Sequence, residues 1–274
     1  MLHDGAEQAQ SLVVPLQKQI TIGYPYYALS GSGGHVIGYQ ILDKLMSDEW
    51  RGYGVLHPGF IAGSEYTPTI EGYAEKMLGH ILQNQKEGPF FLVGYSMGGN
   101  ICLEIAQLLM EQGLKVGVVL VDVKIYSRAK LKNMLRRIPV RIYGEIGDFL
   151  RKIRGGNTEL QQKKKATRIF DDKEMPDVIP DSFARVIRDS RLARQNYQLK
   201  KTSVPTVLIR CKDYIWYDRR YDWEEDYGWK YFTDLRAVLV SPGDHLNMIK
   251  PPQAKFFVKE LERGFDILNK YLSS

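Results

Sequence analysis

Residues 90–100 read Phe90-Phe91-Leu92-Val93-Gly94-Tyr95-Ser96-Met97-Gly98-Gly99-Asn100. An apolar run enters a Gly-x-Ser-x-Gly turn, and a helix-period segment, Met97–Gln112, leaves it and stops at Gly113, in the position of a C-cap. This is the pattern of a nucleophile elbow, in which a serine sits on a sharp strand-to-helix turn with its hydroxyl lifted above a sheet. The turn presses together the residues two before and two after the serine, so both must be small. Gly94 and Gly98 meet that demand, and Gly99 lets the helix lie close to the sheet. The helix N-terminus then offers free amides and the positive end of its dipole to a reacting carbonyl. A bare match arises by chance in roughly a tenth of chains this size. The strand before it and the capped helix after it make this one specific, and Ser96 is the candidate nucleophile.

Outward from this turn, short apolar runs alternate with helical patterns, which predicts an α/β fold with a mainly parallel sheet. Strands are expected at Tyr24–Leu29, Tyr53–His57, Phe90–Gly94, Val116–Asp122, Thr206–Cys211 and Arg236–Val240, with Leu12–Gln17 as a further edge strand. Ile70–Gln85 follows Thr69, a natural N-cap. Phe257, Leu261, Phe265, Leu268 and Leu272 form one helical stripe that should pack on the sheet. Only the stretch from about Lys124 to Thr202 breaks the alternation. It is too long for a structureless loop in a compact domain. Its pattern is helical, broken at Pro139, Gly155-Gly156, Pro176 and Pro180, and it reads as an inserted helical lid.

The 274 residues carry 44% hydrophobic and 26% charged side chains, values of an ordinary globular chain that exclude fibrous, collagenous and disordered classes. Cys102 and Cys211 both lie in apolar stretches, too few for a disulfide framework and without zinc spacing, which points to a reducing, cytoplasmic setting. The first residues lack the basic flank and apolar core of a signal peptide. The longest apolar run, Val116 to Val123, is far below the ~18–20 residues of a membrane span. The net charge of +6 would suit an acidic partner, but no nucleic-acid motif accompanies it.

A serine needs a histidine to take its proton and an acid to orient that histidine. After an elbow of this kind the order is serine, acid, histidine. Of the five histidines only His245 follows Ser96, in the turn Ser241-Pro242-Gly243-Asp244-His245. His57 and His80 read as surface or packing residues, and His35, in a glycine-rich loop, as either pocket lining or loop packing. Two acids compete. Asp122 closes the run Val116–Val121, and Asp213 follows Thr206–Cys211. A carboxylate closing an apolar run is costly unless paired, which favours Asp122. Acyl transfer also needs two amides aimed at the developing oxyanion. One is that of Met97. The other is expected from the loop Ser30-Gly31-Ser32-Gly33-Gly34, at Ser32. That loop has neither phosphate-binding glycine pattern. Gly31, Tyr95 and His35, beside the turn and this loop, are candidate substrate-binding residues.

Taken together these residues resemble the chain-terminating thioesterase domains of modular polyketide and nonribosomal peptide synthases, over about residues 12–272. The marks are Leu12-Val13-Val14-Pro15-Leu16, Gly31–Gly34, Gly88-Pro89-Phe90, Gly94-Tyr95-Ser96-Met97-Gly98-Gly99, Leu120-Val121-Asp122 and Pro242-Gly243-Asp244-His245. The resemblance implies an α/β-hydrolase fold over 12–274 with a helical lid inserted after the acid, at about 124–202. Residues 1–11 are then a linker or an artificial start. It implies the triad Ser96, Asp122 and His245, with Asp122 ahead of Asp213. It implies an acyl or peptidyl chain carried on the phosphopantetheine of a carrier protein, moved to the serine, and released by water or by ring closure. No cofactor or metal of the domain's own is implied. Many members carry His-Pro before the glycine loop, where this chain has Leu29-Ser30. Free-standing editing thioesterases are close relatives, although the Val-Pro-Leu leader is more similar to the terminal domains. A carboxylesterase or lipase on the same fold, and a binding protein that has lost catalysis, are the competing readings.

Charge is concentrated in the expected lid. From Lys124 to Arg168 fourteen Lys/Arg face three acids, a net +11 that exceeds the charge of the whole chain. It reads as a solvated face or as a docking surface for an acidic carrier protein. A second patch, from Tyr214 through Trp216, Tyr221, Trp223 and Tyr227 to Trp229, reads as packing beneath the lid or as acyl-chain contact.

Overall fold

β4 (Phe90–Tyr95) is apolar at nearly every position because both of its faces are covered. In this computed structural model, which describes residues 10–16, 23–61, 63–126 and 181–274, β4 lies between two parallel neighbours, β2 (Tyr24–Leu29) and β5 (Val116–Val121). β1 (Val13–Pro15), β3 (Trp50–Val55), β6 (Pro205–Cys211) and β7 (Asp234–Ser241) complete a sheet ordered β1-β3-β2-β4-β5-β6-β7. Among these strands only β1 runs antiparallel.

The two-residue period of the strands sorts side chains onto two helical layers. Phe90 and Leu92 of β4, with Val116, Val118 and Leu120 of β5, face α2 (Ile70–Asn84) and α3 (Met97–Glu111). Phe91 and Val93, with Val119 and Val121, face α1 (Ile37–Asp43) and α5 (Ala254–Ser273). The expected stripe on α5 does pack there, through Phe257, Leu261, Phe265 and Leu268. Thr69 caps α2, its hydroxyl accepting the Gly72 N–H at 3.0 Å. Gly113, with φ of +75°, ends α3.

Two elements depart from expectation. The second parallel strand was expected at Tyr53–His57 but begins at Trp50. Pairing with β2 runs from Tyr24↔Trp50 to Leu29↔Val55. Trp50 is buried against the rings of Phe91 and Phe265, with centroids at 5.1 and 4.5 Å. His57 has by then left the strand, and its Nδ1 accepts the Gly59 N–H at the start of a short 3₁₀ turn. α1 was not expected at all. It buries Tyr39 and Leu42 yet leaves Ile37 and Ile41 exposed, so apolar residues on both faces blur its period.

Of the span read as a lid, residues 127–180 lie outside the described residues, as do thirteen of the fourteen basic side chains counted from Lys124 to Arg168. Residues 124–126 lie at the C-terminal end of the sheet. α4 (Asp181–Asn196) carries Asp189, which accepts the Tyr66 hydroxyl at 2.8 Å, and Arg185, which donates to the Gly59 carbonyl at 2.6 Å. Among the described residues no helix is long and apolar enough to cross a membrane.

Thr69→Ala should destabilise the chain by about 1 kcal/mol through loss of the cap of α2. Urea unfolding should show a lower midpoint at an unchanged m value, and Thr69→Ser should restore it.

Candidate active site

Ser96 sits between β4 and α3 with φ of 55° and ψ of −122°, a conformation costly for a non-glycine residue that aims its side chain off the sheet edge. The glycines around it make this possible. A Cβ at Gly94 would lie 2.4 Å from Gly99 Cα, and one at Gly99 would lie 2.4 Å from a Val123 methyl. A Cβ at Gly98 would lie 2.5 Å from the carbonyls of both Leu29 and Ser30. The helix start is thus pressed onto the exit of β2, and the glycine loop reaches the serine. A Cβ at Gly31 would stand 3.2 Å from Ser96 Cβ and 3.7 Å from its Oγ. The Gly34 N–H closes this loop on the Gly31 carbonyl at 2.9 Å. Ser32 lies beside the helix start, its Oγ 3.9 Å from the sulfur of Met97, the first residue of α3.

Asp122 follows β5, again at positive φ, 48°, and is 1% exposed. A buried carboxylate needs donors for its lone pairs. Oδ1 accepts the Cys211 N–H at 3.1 Å and the Tyr227 hydroxyl at 2.9 Å. Oδ2 receives His245 Nδ1 at 2.6 Å and the Lys124 ammonium. Burial works against the charge of Asp122, but the His245 hydrogen bond and the Lys124 charge outweigh it and hold the carboxyl well below its ordinary value of 3.8. An ionised carboxylate only accepts, so Nδ1 of His245 carries a proton, and in the neutral ring the lone pair is on Nε2. The His245 ring stacks on Tyr95, with centroids at 4.9 Å and planes at 17°, and its carbonyl accepts the Tyr95 hydroxyl. Tyr95 immediately precedes Ser96, and the Ser96 N–H bonds to the Val121 carbonyl at 3.0 Å. Ser96, Asp122 and His245 therefore gather at the C-terminal edge of the sheet. Asp213, the rival acid, is exposed there, with its N–H on the Gly243 carbonyl.

Two partners of Asp122, Lys124 and Tyr227, and the Asp218 that Lys124 also meets, escaped the sequence reading. Lys124, counted there among lid charges, has a side chain only 2% exposed, lodged between Asp122 and Asp218. Asp218, itself 1% exposed, accepts the Tyr126 hydroxyl at 2.9 Å. Tyr227, from the aromatic patch, donates directly to Asp122. Burial, then the Asp122 charge, drives its phenol far above the ordinary value, so it stays a donor. Trp229 of the same patch is fully buried and donates to the Val123 carbonyl at 2.6 Å. Trp216 is 69% exposed. No motif spacing announces these contacts. The one signal was an acidic, aromatic-rich loop following β6.

His35 is exposed and stacks on Phe183 at 6.2 Å. His57 is a packing residue satisfied at one ring nitrogen, Nδ1 accepting the Gly59 N–H. Its ring is buried among Phe60, Tyr66 and Tyr73, and its Nε2 has no partner in a small cavity lined also by Ser30, Gly31 and Met97. Burial lowers its pKa to about 4, so it is neutral. Among the described residues no cluster of three or more His, Cys, Asp or Glu could hold a metal ion.

A model of the thioesterase domain family matches residues 27–263. The non-reducing polyketide synthase cla3 of Cladosporium cladosporioides is 31% identical over 300 residues, covering 98% of this chain and 14% of that protein. The probable thioesterase gloN of Glarea lozoyensis is 25% identical over 270 residues, covering 89% of this chain and 90% of that one. Against other curated relatives the matched region is 2% to 36% of their length. The NocB thioesterase domain of the nocardicin cluster superposes with a TM-score of 0.61 at 18% identity, over 93% of this chain and 99% of that one. The α/β-hydrolase fold follows from this likeness and from the strand order.

Gly98→Ala should disrupt the junction of α3 with the exit of β2, costing about 1–3 kcal/mol of stability and most of the activity. Thermal melts together with turnover of a small thioester would measure both. A second expectation concerns acid. The pKa of Asp122 is depressed on folding, so its contribution is present above its ordinary 3.8 and lost as pH falls below it. The stability of wild type relative to Asp122→Asn, followed by urea unfolding, should therefore decline on acidification from about pH 6 to about pH 3. A difference that grows instead would contradict an ionised, hydrogen-bonded Asp122.

Proposed function

Because this chain belongs to the thioesterase domain family of α/β-hydrolases, we propose that it releases an acyl or peptidyl chain from the phosphopantetheine thioester of a carrier protein through an acyl-enzyme on Ser96. His245 is the base and Asp122 the acid that orients it. The observation that carries this reading is the hydrogen bond of His245 Nδ1 to buried Asp122, made beside the Ser96 elbow. His245 Nε2 takes the proton of Ser96 Oγ as that oxygen attacks the thioester carbonyl. The amides of Met97 and Ser32 receive the oxyanion. The tetrahedral intermediate collapses, the C–S bond breaks, and His245 returns the proton to the leaving thiol. Water, or a hydroxyl or amine of the bound chain, then attacks the acyl-serine by the same path in reverse.

A polyketide chain is the substrate class that the synthase relative supports. The match to gloN, which spans nearly all of both chains, favours a second arrangement in which such a domain acts as a separate thioesterase. The chemistry would be the same, with chain release or editing in trans.

Intact mass after mixing with a long-chain acyl thioester should show one acyl adduct on wild type and none on Ser96→Ala. Turnover by Ser96→Ala should fall by about 10⁴–10⁶. Matched thioester and oxygen-ester substrates should favour the thioester. A preference for the ester would identify a carboxylesterase instead. Linear or cyclic product names the mode of release.

A further inference from the structure

We infer that Lys124 and Asp218 form a buried positioning pair that sets the charge felt by the Asp122–His245 couple, an inference that rests on the catalytic reading above. Lys124 Nζ contacts Asp122 Oδ2, the same oxygen that receives His245 Nδ1. It also lies 3.3 Å from Asp218 Oδ2, a charge contact without hydrogen-bond alignment. Asp218 is held in turn by the Tyr126 hydroxyl at 2.9 Å, and its carbonyl accepts Trp223 Nε1 at 3.0 Å. All three charged side chains are 2% exposed or less, so solvent does little to screen them.

A lysine on the acid of a triad poses a problem, because it cancels the charge that should favour an imidazolium. Asp218 resolves it. With two carboxylates, one ammonium and a neutral imidazole, the buried group carries a single net negative charge, as an Asp-His couple alone would. When His245 takes the serine proton, the group becomes neutral overall. Lys124 thus ties Asp122 to a second anchor without disarming it.

Of the other groups facing the cluster, the thiol and the phenols add no charge, while Asp244, Arg210 and Arg194 stand around it. The Cys211 thiol, 3.8 Å from Lys124, is pushed to about 12 by burial and then by Asp122. The phenols of Tyr126, Tyr217 and Tyr227 are raised first by burial. Asp244, next to His245, caps the Leu246 N–H at 2.8 Å. Arg210 stacks on the Tyr227 ring at 5.9 Å, and the charge of Arg194 is felt at Tyr217.

The test is a charge cycle read in the acid limb of the pH profile of kcat/KM on a small thioester, which reports the essential base of the free enzyme. Because Lys124 and His245 share one oxygen, they lie within about 5 Å, where one charge shifts a neighbour's proton equilibrium by about one pH unit or more. Lys124→Met should move the limb to higher pH by about that amount. Asp218→Asn should move it to lower pH by at least about half a unit. The double variant, with its single negative charge restored, should return it to the wild-type position. A merely structural pair would give shifts of one sign or none, and either result would overturn the inference. If Lys124→Met fails to fold by near-UV circular dichroism, Asp218→Asn decides alone, since an unmoved or raised limb overturns the proposal. Acyl adducts on Ser96 are scored in every variant. Absence of the adduct in wild type defeats the catalytic reading itself, whereas adducts with unmoved limbs defeat only the role of the pair.

Discussion

Everything at the C-terminal edge of this sheet depends on one buried charge. Asp122 is 1% exposed and must be solvated by the protein. Its four hydrogen-bonding positions are filled from four directions: the backbone of β6, the aromatic loop after β6, the turn after β7, and the residue two further along its own chain. Removing one partner of such a group leaves the rest under-compensated, which is far more damaging than the loss of an exposed ion pair. The ends of β5, β6 and β7 are therefore held in mutual register by electrostatics as well as by the ladder. The same demand brings His245 to the neighbourhood of Ser96, for Tyr95 couples the two through ring stacking and a hydrogen bond to the His245 carbonyl.

The nucleophile turn obeys a steric constraint of a different kind. Gly94, Gly98 and Gly99 are in contact with one another, with Val123 and with the exit of β2. Close packing there lets the β2 loop stand against the serine, so the glycine loop and the helix amides converge on one place without flexible side chains. In the proposed mechanism the first constraint orients the proton acceptor, and the second shapes the cradle for a developing negative charge. They come from separate parts of the chain and meet only along β4 and β5.

Much of this architecture was legible because it is written in local periodicity. The fully apolar β4 and β5, the cap at Thr69 and the stripe on α5 each follow from neighbours in sequence. α1 was hidden because Ile37 and Ile41 face outward while Tyr39 and Leu42 face inward. The start of β3 was misplaced because the pairing of Trp50 with Tyr24 is a long-range fact. Ser96 and His245 stand in recognisable turns, and Asp122 was singled out by the cost of ending an apolar run on a charge. Tyr227 is 105 residues from Asp122 and Asp218 is 92 from Tyr126, with no spacing rule to link them. Lys124 misled for a different reason. It opens a basic run and reads as one more surface charge, yet it belongs to the carboxylate two residues before it.

The left-handed backbone at Asp122 narrows the chemistry of the position in its own way. At φ of 48°, Asp and Asn are among the few side-chain-bearing residues accommodated at low cost. Their short polar groups can turn back onto local amides, which a longer chain does poorly. Glutamate, the other acid common in triads of this order, would meet an unfavourable backbone here and would also overshoot donors set for a shorter arm. The backbone conformation would accept glycine or asparagine, but neither carries the charge on which the four donors converge, so backbone and donors together single out aspartate.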